Sequence, residues 1–149
     1  MSDAHRGVSV RWQFPDQVIR QHMRRLARED FRAVRQEIGD YMVGQIQDRF
    51  DDQRLVDGSP MPQSAAAIAR SGQTLMDQRL LYQSYGEYEL VRDGVAAGSD
   101  SPYARIHHFG GRAGRGHKTM IEARPVLGVN SEDAAYIGEL IFDGIRGMQ

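Results

Sequence analysis

The chain has no cysteine, a single lysine and a single tryptophan among its 149 residues. Without cysteine there can be no disulfide, no thiol nucleophile and no cysteine-ligated zinc, and nothing points to secretion. No stretch approaches the roughly 18 consecutive apolar residues of a membrane helix. The first residues also lack the apolar core of a signal peptide. The expectation is a protein made in a cytoplasm with no membrane partner. Because Lys118 is the only lysine, positive charge rests on arginine, whose planar guanidinium makes bidentate contacts and stays charged when desolvated. Neither sign dominates: the formal net charge is −1, so any basic surface must be local.

What is present fits a soluble globular chain, with 40% apolar and 26% charged residues. The length suits one domain over residues 1–149 with a core of its own. Residues 8–14, VSVRWQF, alternate Val8, Val10, Trp12 and Phe14 with polar neighbours, the period of a strand with one apolar face. Pro15 stands where a helix can begin. From Asp16 to about Phe50 the period becomes helical. One stripe holds Val18, Ile19, His22, Met23 and Leu26; a second holds Phe31, Val34, Ile38, Tyr41, Met42 and Ile46. The stripes slip near Glu29 and Asp30, which predicts either two helices or one bent helix. DDQRLVDGSPMPQ is a loop, and Ser64 caps a short helix reaching Arg70. Residues 80–100 read as a β-ribbon turned at Asp93-Gly94. Pro102 leads into a short helix over Tyr103–Phe109, anchored by Ile106 and Phe109 on one face. A last helix capped by Ser131 carries Ala134, Ile137, Leu140, Ile141 and Ile145. The fold class is α+β: an N-terminal strand and long helices on a small, mostly antiparallel sheet, with a C-terminal helix.

The stretch HHFGGRAGRGHKTMIEARPVLG, residues 107–128, gathers histidines, glycines and cations. Gly111 and Gly116 have the gap of a phosphate-binding loop, but His117 intrudes before Lys118-Thr119, so the lysine does not follow the second glycine. His107 and His108 are adjacent and would point about 100° apart on a helix, a poor start for a shared metal. One of them is expected to pack under the glycine turn and the other to be exposed. No G-x-S-x-G elbow marks a nucleophile. The pair Asp51-Asp52 falls at a helix end, and Glu132-Asp133 at a helix start, where carboxylates favour the dipole. No enzyme constellation, cofactor or metal site is expected. A single GGRAGRG is too little for RGG-type RNA binding. What remains is a basic, glycine-rich loop over residues 110–118, mobile until a partner holds it.

The segments YARIHHFGG and IEARPVLG, followed by a helix opening NSED, resemble the phage virion morphogenesis family, which includes tail completion and neck proteins of Mu-like tailed phages. The family pattern there reads YA-x-I-H-x-F-G-G, then I-P-A-R-P-F-L-G. Upstream, RFDDQRLVDGSPMP and the spacing of Leu75, Asp77, Leu81 and Ser84 are also similar to it. This chain departs by Met61 for a tryptophan, Gln78-Arg79 for Thr-Gly, Glu122 for a proline and Val126 for a phenylalanine. The matching motif residues are Tyr103, His107, Phe109, Gly110, Gly111, Arg124, Pro125, Leu127 and Gly128. The resemblance implies a non-enzymatic virion protein at the head–tail junction, present in the host cytoplasm during assembly. It also implies a hexameric ring of identical copies touching tail tube and neck or connector proteins, with genome DNA passing through it. Arg112, Arg115, His117 and Lys118 are then an assembly or DNA-facing loop. The alternative from another class is a small cytoplasmic nucleic-acid-binding protein using the same loop.

Overall fold

The computed structural model describes residues 7–13, 17, 31–92 and 94–147. The expected stripe Val18–Leu26 and the bend near Glu29 lie outside the described residues, as do Phe14, Pro15 and Asp93. Strand β1 (Val8–Gln13) is followed by helix α1 (Arg32–Asp51), two single-turn helices α2 (Ala65–Ala69) and α3 (Leu80–Ser84), and strands β2 (Tyr88–Val91) and β3 (Gly94–Ser99). Helix α4 (Ala104–Phe109), strands β4 (Gly111–Ala113) and β5 (Thr119–Ile121), and helix α5 (Ser131–Arg146) complete the order. The α+β class therefore holds.

The main sheet has the order β1-β3-β2 and is antiparallel throughout. Its central strand GVAAGS is rich in small residues, and Val95, Ala97 and Ser99 alternate onto the buried face. Val8 of β1 joins them in the core, and Val10 packs against it. Helix α1 lies on this face. Val34, Ile38, Met42, Ile46 and Phe50 recur every four residues, so one line of side chains is buried along the helix. Gly39 permits the close approach: a Cβ there would lie 2.4 Å from the Tyr88 ring. Ile46 and Phe50 are wholly buried with Tyr85, Val126 and Leu127; each such side chain contributes about 1.5–3 kcal/mol.

The other end of α1 supports a second cluster of Phe31, Val34, Ile38 and Met42, against which Ile137, Leu140, Ile141 and Ile145 of α5 pack. Ala134, expected in this stripe, is exposed. The helix starts one residue earlier than expected. Asn130, not Ser131, is the cap: its side chain accepts the Asp133 N–H at 2.9 Å, while the Asp133 carboxylate accepts the Asn130 N–H at 3.1 Å. A reciprocal pair satisfies two otherwise orphan donors, and a lone Ser131 cap would satisfy one.

Two further expectations change. The β-ribbon occupies only residues 88–99, because residues 80–84 form the turn of α3, started by Arg79 in the left-handed conformation (φ 57°, ψ 14°). The family pattern has glycine at that position, so the turn is kept here at the cost of strain in a residue bearing Cβ. Residues 110–118, expected as an irregular loop, lie largely within a hairpin over residues 111–121. Gly111 pairs with Ile121, Arg112 with Met120 and Ala113 with Thr119, and a 3-10 turn over Arg115–His117 closes it. The glycines that argued for mobility instead supply the positive φ values of the bends, 70° at Gly110 and 78° at Gly114.

Candidate functional site

The motif residues divide into a buried tie and an exposed face. In the tie, Arg124 is buried and donates from Nε to the Pro62 carbonyl at 2.7 Å, with further bonds to the carbonyls of Glu122 and Gln63 at 3.2 and 3.4 Å. Its backbone N–H donates to the His107 carbonyl at 2.7 Å, joining the tie to α4. The Pro125 carbonyl accepts from Val56 N–H at 2.9 Å, which holds the loop after α1 against the motif. Leu127 and Val126 fill the core, as does Met61, so the smaller or different apolar residues at two departures from the family pattern still occupy buried positions. Glu122, replacing the family's proline, is exposed. Gly110 is confined by both shape and torsion: its φ is 70°, and a Cβ would come within 2.8 Å of the Ile121 carbonyl oxygen and of the Ala123 nitrogen.

A second arginine completes the tie. Arg49, on α1, donates to the carbonyls of Val126 and Gly128 at 2.7 and 3.0 Å and pairs with the Asp133 carboxylate at 2.5 Å, both side chains being buried. Asp133 also accepts the Tyr41 hydroxyl at 3.0 Å. Burial, then this hydrogen bond to the carboxylate, pushes the Tyr41 pKa up to about 12, so the phenol remains a donor. Asp133 was read from sequence as a helix-start carboxylate and is indeed one, but its pairing with Arg49 was not foreseen. The capping spacing Asn130–Asp133 is visible in the sequence; nothing local singles out Arg49 among the arginines of a helix.

The exposed face consists of the hairpin and its neighbours. Arg112, Arg115, His117 and Lys118 are all exposed, and among the described residues the three cations Arg112, Arg115 and Lys118 have no ion pair. Arg112 stands opposite Met120 across the ladder, so strand alternation places both on one side of the hairpin. Tyr103 and Phe109 of the motif are exposed as well. Phe109 therefore does not anchor α4, as expected from sequence; buried Ala104 does, with Ile106 half-buried. Arg105 instead lies over the Phe109 ring at 5.6 Å.

His107 and His108 are both half-buried, so the expected split between one packed and one exposed histidine is not found. Their Nδ1 atoms are buried without a partner among the described residues. Burial lowers the pKa of each, and the Arg124 charge adds to the effect at His107. Burial thus favours the neutral form of each imidazole. Among the described residues no three histidine, aspartate or glutamate side chains come together as a ligand group.

An open groove of about 750 Å³ runs between α2, α3 and the hairpin. Leu80, Tyr103 and Met120 on its walls are 66, 68 and 68% exposed, an apolar rim without a cover. Among the described residues no helix is long and apolar enough to cross a membrane. The buried tie thus fastens one exposed surface that is both apolar and basic.

The sequence profile of the phage virion morphogenesis family matches residues 14–145, and the chain belongs to that family. A stretch of 74 residues is 43% identical to Mu-like prophage FluMu G protein 2 of Haemophilus influenzae. That match takes in 50% of this chain and 53% of the relative, so the chain spans about half the length of the curated protein it matches. No solved structure matches. The chain's role is in the morphogenesis of a phage virion.

Proposed function

We propose that this chain is a non-enzymatic structural protein of the head–tail junction, acting in tail completion and head–tail joining as a ring of identical copies. The carrying observation is the family match across residues 14–145, combined with an exposed apolar and basic surface held by the buried Arg124 tie. A hexamer is the stoichiometry implied by the family resemblance. In this reading the ring sits at the end of the tail tube or in the neck against connector proteins, and the protein passes from the host cytoplasm into the virion.

The test is genetic and visual. Disruption of the gene in an inducible phage should leave filled heads and tails that do not join, and complementation should restore joined particles seen by electron microscopy. Normal infectious particles without the protein, or its absence from purified virions by mass spectrometry, would overturn the reading. The exposed, unpaired cations of the hairpin also support a second use of the same surface, contact with DNA phosphates in the ring lumen. Affinity of the purified protein for duplex DNA should then fall steeply with salt.

A further inference from the structure

Among the described residues two surfaces are left uncovered, and they are complementary. The first is the groove with its rim of Leu80, Tyr103 and Met120, beside the cations Arg112, Arg115 and Lys118. The second is the outward side of α5. Ile137, Leu140, Ile141 and Ile145 turn toward α1, which leaves Glu139, Phe142 and Asp143 as neighbours on the opposite face. Phe142 is 63% exposed, a large apolar side chain left in water on that face. Tyr136, on the flank of α5, instead stacks on Tyr41 of α1 at 4.2 Å between ring centroids. Glu139 has no ion pair among the described residues, and Asp143 has only a fully solvated contact with Arg146 at 3.9 Å.

We infer that the outward face of α5 in one copy seats against the groove and basic hairpin of the next copy, a head-to-tail contact that rests on the ring reading above. Charge complementarity selects this occupant. Arg112 shares its side of the hairpin with Met120, so cation and apolar side chain are presented together, as Glu139 and Phe142 are on α5. Burying Phe142 against Leu80, Tyr103 and Met120 removes apolar surface from water on both partners. The carboxylates of α5 meet guanidinium groups that can bind them in bidentate fashion. The two surfaces belong to different ends of α1: α5 covers the cluster of Ile38 and Met42, while the groove lies beyond the cluster of Ile46 and Phe50. A single copy therefore leaves both open. Unlike surfaces joined head to tail produce rings when the rotation closes.

The experiment uses the full chain and charge reversal. One variant carries Arg112→Glu and Arg115→Glu, the other Glu139→Arg and Asp143→Arg; all four side chains are exposed, and circular dichroism checks that each variant folds. By analytical ultracentrifugation at low salt, wild-type protein should form oligomers and each variant alone should associate at least tenfold more weakly. The equimolar mixture should recover assembly, because each hairpin then meets a helix of opposite charge. Variants that assemble as well as wild type would overturn this contact and leave the ring intact by another surface. Loss in both variants without recovery in the mixture would overturn the pairing of these two faces. Wild-type protein that stays monomeric at every concentration would remove the ring reading itself.

Discussion

Arg49 and Arg124 on one side, and Arg112 and Arg115 on the other, place the same side chain in opposite physical circumstances. The first pair is buried, and its guanidinium groups donate to backbone carbonyls, with Asp133 taking the charge of Arg49. The second pair is solvated and has no ion pair among the described residues. Arg112 and Arg124 lie twelve residues apart, on either side of the β5 strand. The difference shows that one residue type can serve two purposes in the same chain. Arginines holding the surface in place are costly to change for stability, whereas those forming the surface should matter only when another molecule arrives.

The largest expected effect comes from the buried ion pair. Arg49→Ala leaves Asp133 buried without its cation and should cost about 3–5 kcal/mol in urea unfolding. The double change Arg49→Met with Asp133→Leu should recover part of that loss, since no uncompensated charge then remains. A cost below about 1 kcal/mol for Arg49→Ala would mean that the pair is solvated in solution and that the contrast with Arg112 is false.

Next is the tie itself. Arg124→Ala strips donors from the carbonyls of Pro62 and Gln63 and should destabilise by about 1–3 kcal/mol. Arg112→Ala and Arg115→Ala should each stay within about 0.5 kcal/mol of wild type. If thermal melts rank them the other way, the hairpin rather than the tie supports the fold.

Protonation of the half-buried histidines comes third. The folded pKa of His107 and His108 lies below the ordinary 6.5, so the unfolded chain binds more protons as the solution is acidified. Their contribution is therefore fully present above about 6.5 and is lost as pH falls from there toward the folded values. Melting temperature should drop between about pH 7 and pH 5, and less so in His107→Gln. A profile that is flat, or equally steep in the variant, would show that the two imidazoles reach solvent.

The smallest effect is at Arg79. Arg79→Gly and Arg79→Ala both lose the exposed contact with Asp51 at 3.5 Å and the packing over the Tyr82 ring, but only glycine relieves the positive φ. The glycine variant should be more stable than the alanine variant by about 1 kcal/mol. Equal stabilities would argue that the turn before α3 relaxes in solution.

How much was legible can be judged at single positions. The spacing of Ile38, Met42 and Ile46 announces the buried line of α1, and Ser64 caps α2 as expected, its hydroxyl accepting the Ala67 N–H at 3.1 Å. The hairpin of β2 and β3 falls beside the Asp93-Gly94 signal, but Gly94 opens β3 opposite Val91 and is not a turn residue. The hairpin of β4 and β5 was not legible. Glycine density has two readings, freedom or required positive φ, and only the partner strand decides between them. Phe109 illustrates the opposite failure: a large apolar residue three positions from Ile106 looked like an anchor, yet the helix turns it outward. The outward stripe of α5 could have been drawn from the sequence, but its exposure depends on what α1 covers.

By itself, then, the sequence determined β1, α1, α2, α4, α5 and the family motif, because helical and strand periods and caps act over a few positions along the chain. Tertiary structure alone decided which arginines are buried. Arg49 and Asp133 are 84 residues apart, and no local pattern encodes that meeting. It also decided which apolar side chains remain in water, since the exposure of Leu80, Tyr103 and Met120 depends on elements distant in sequence converging around one groove without filling it.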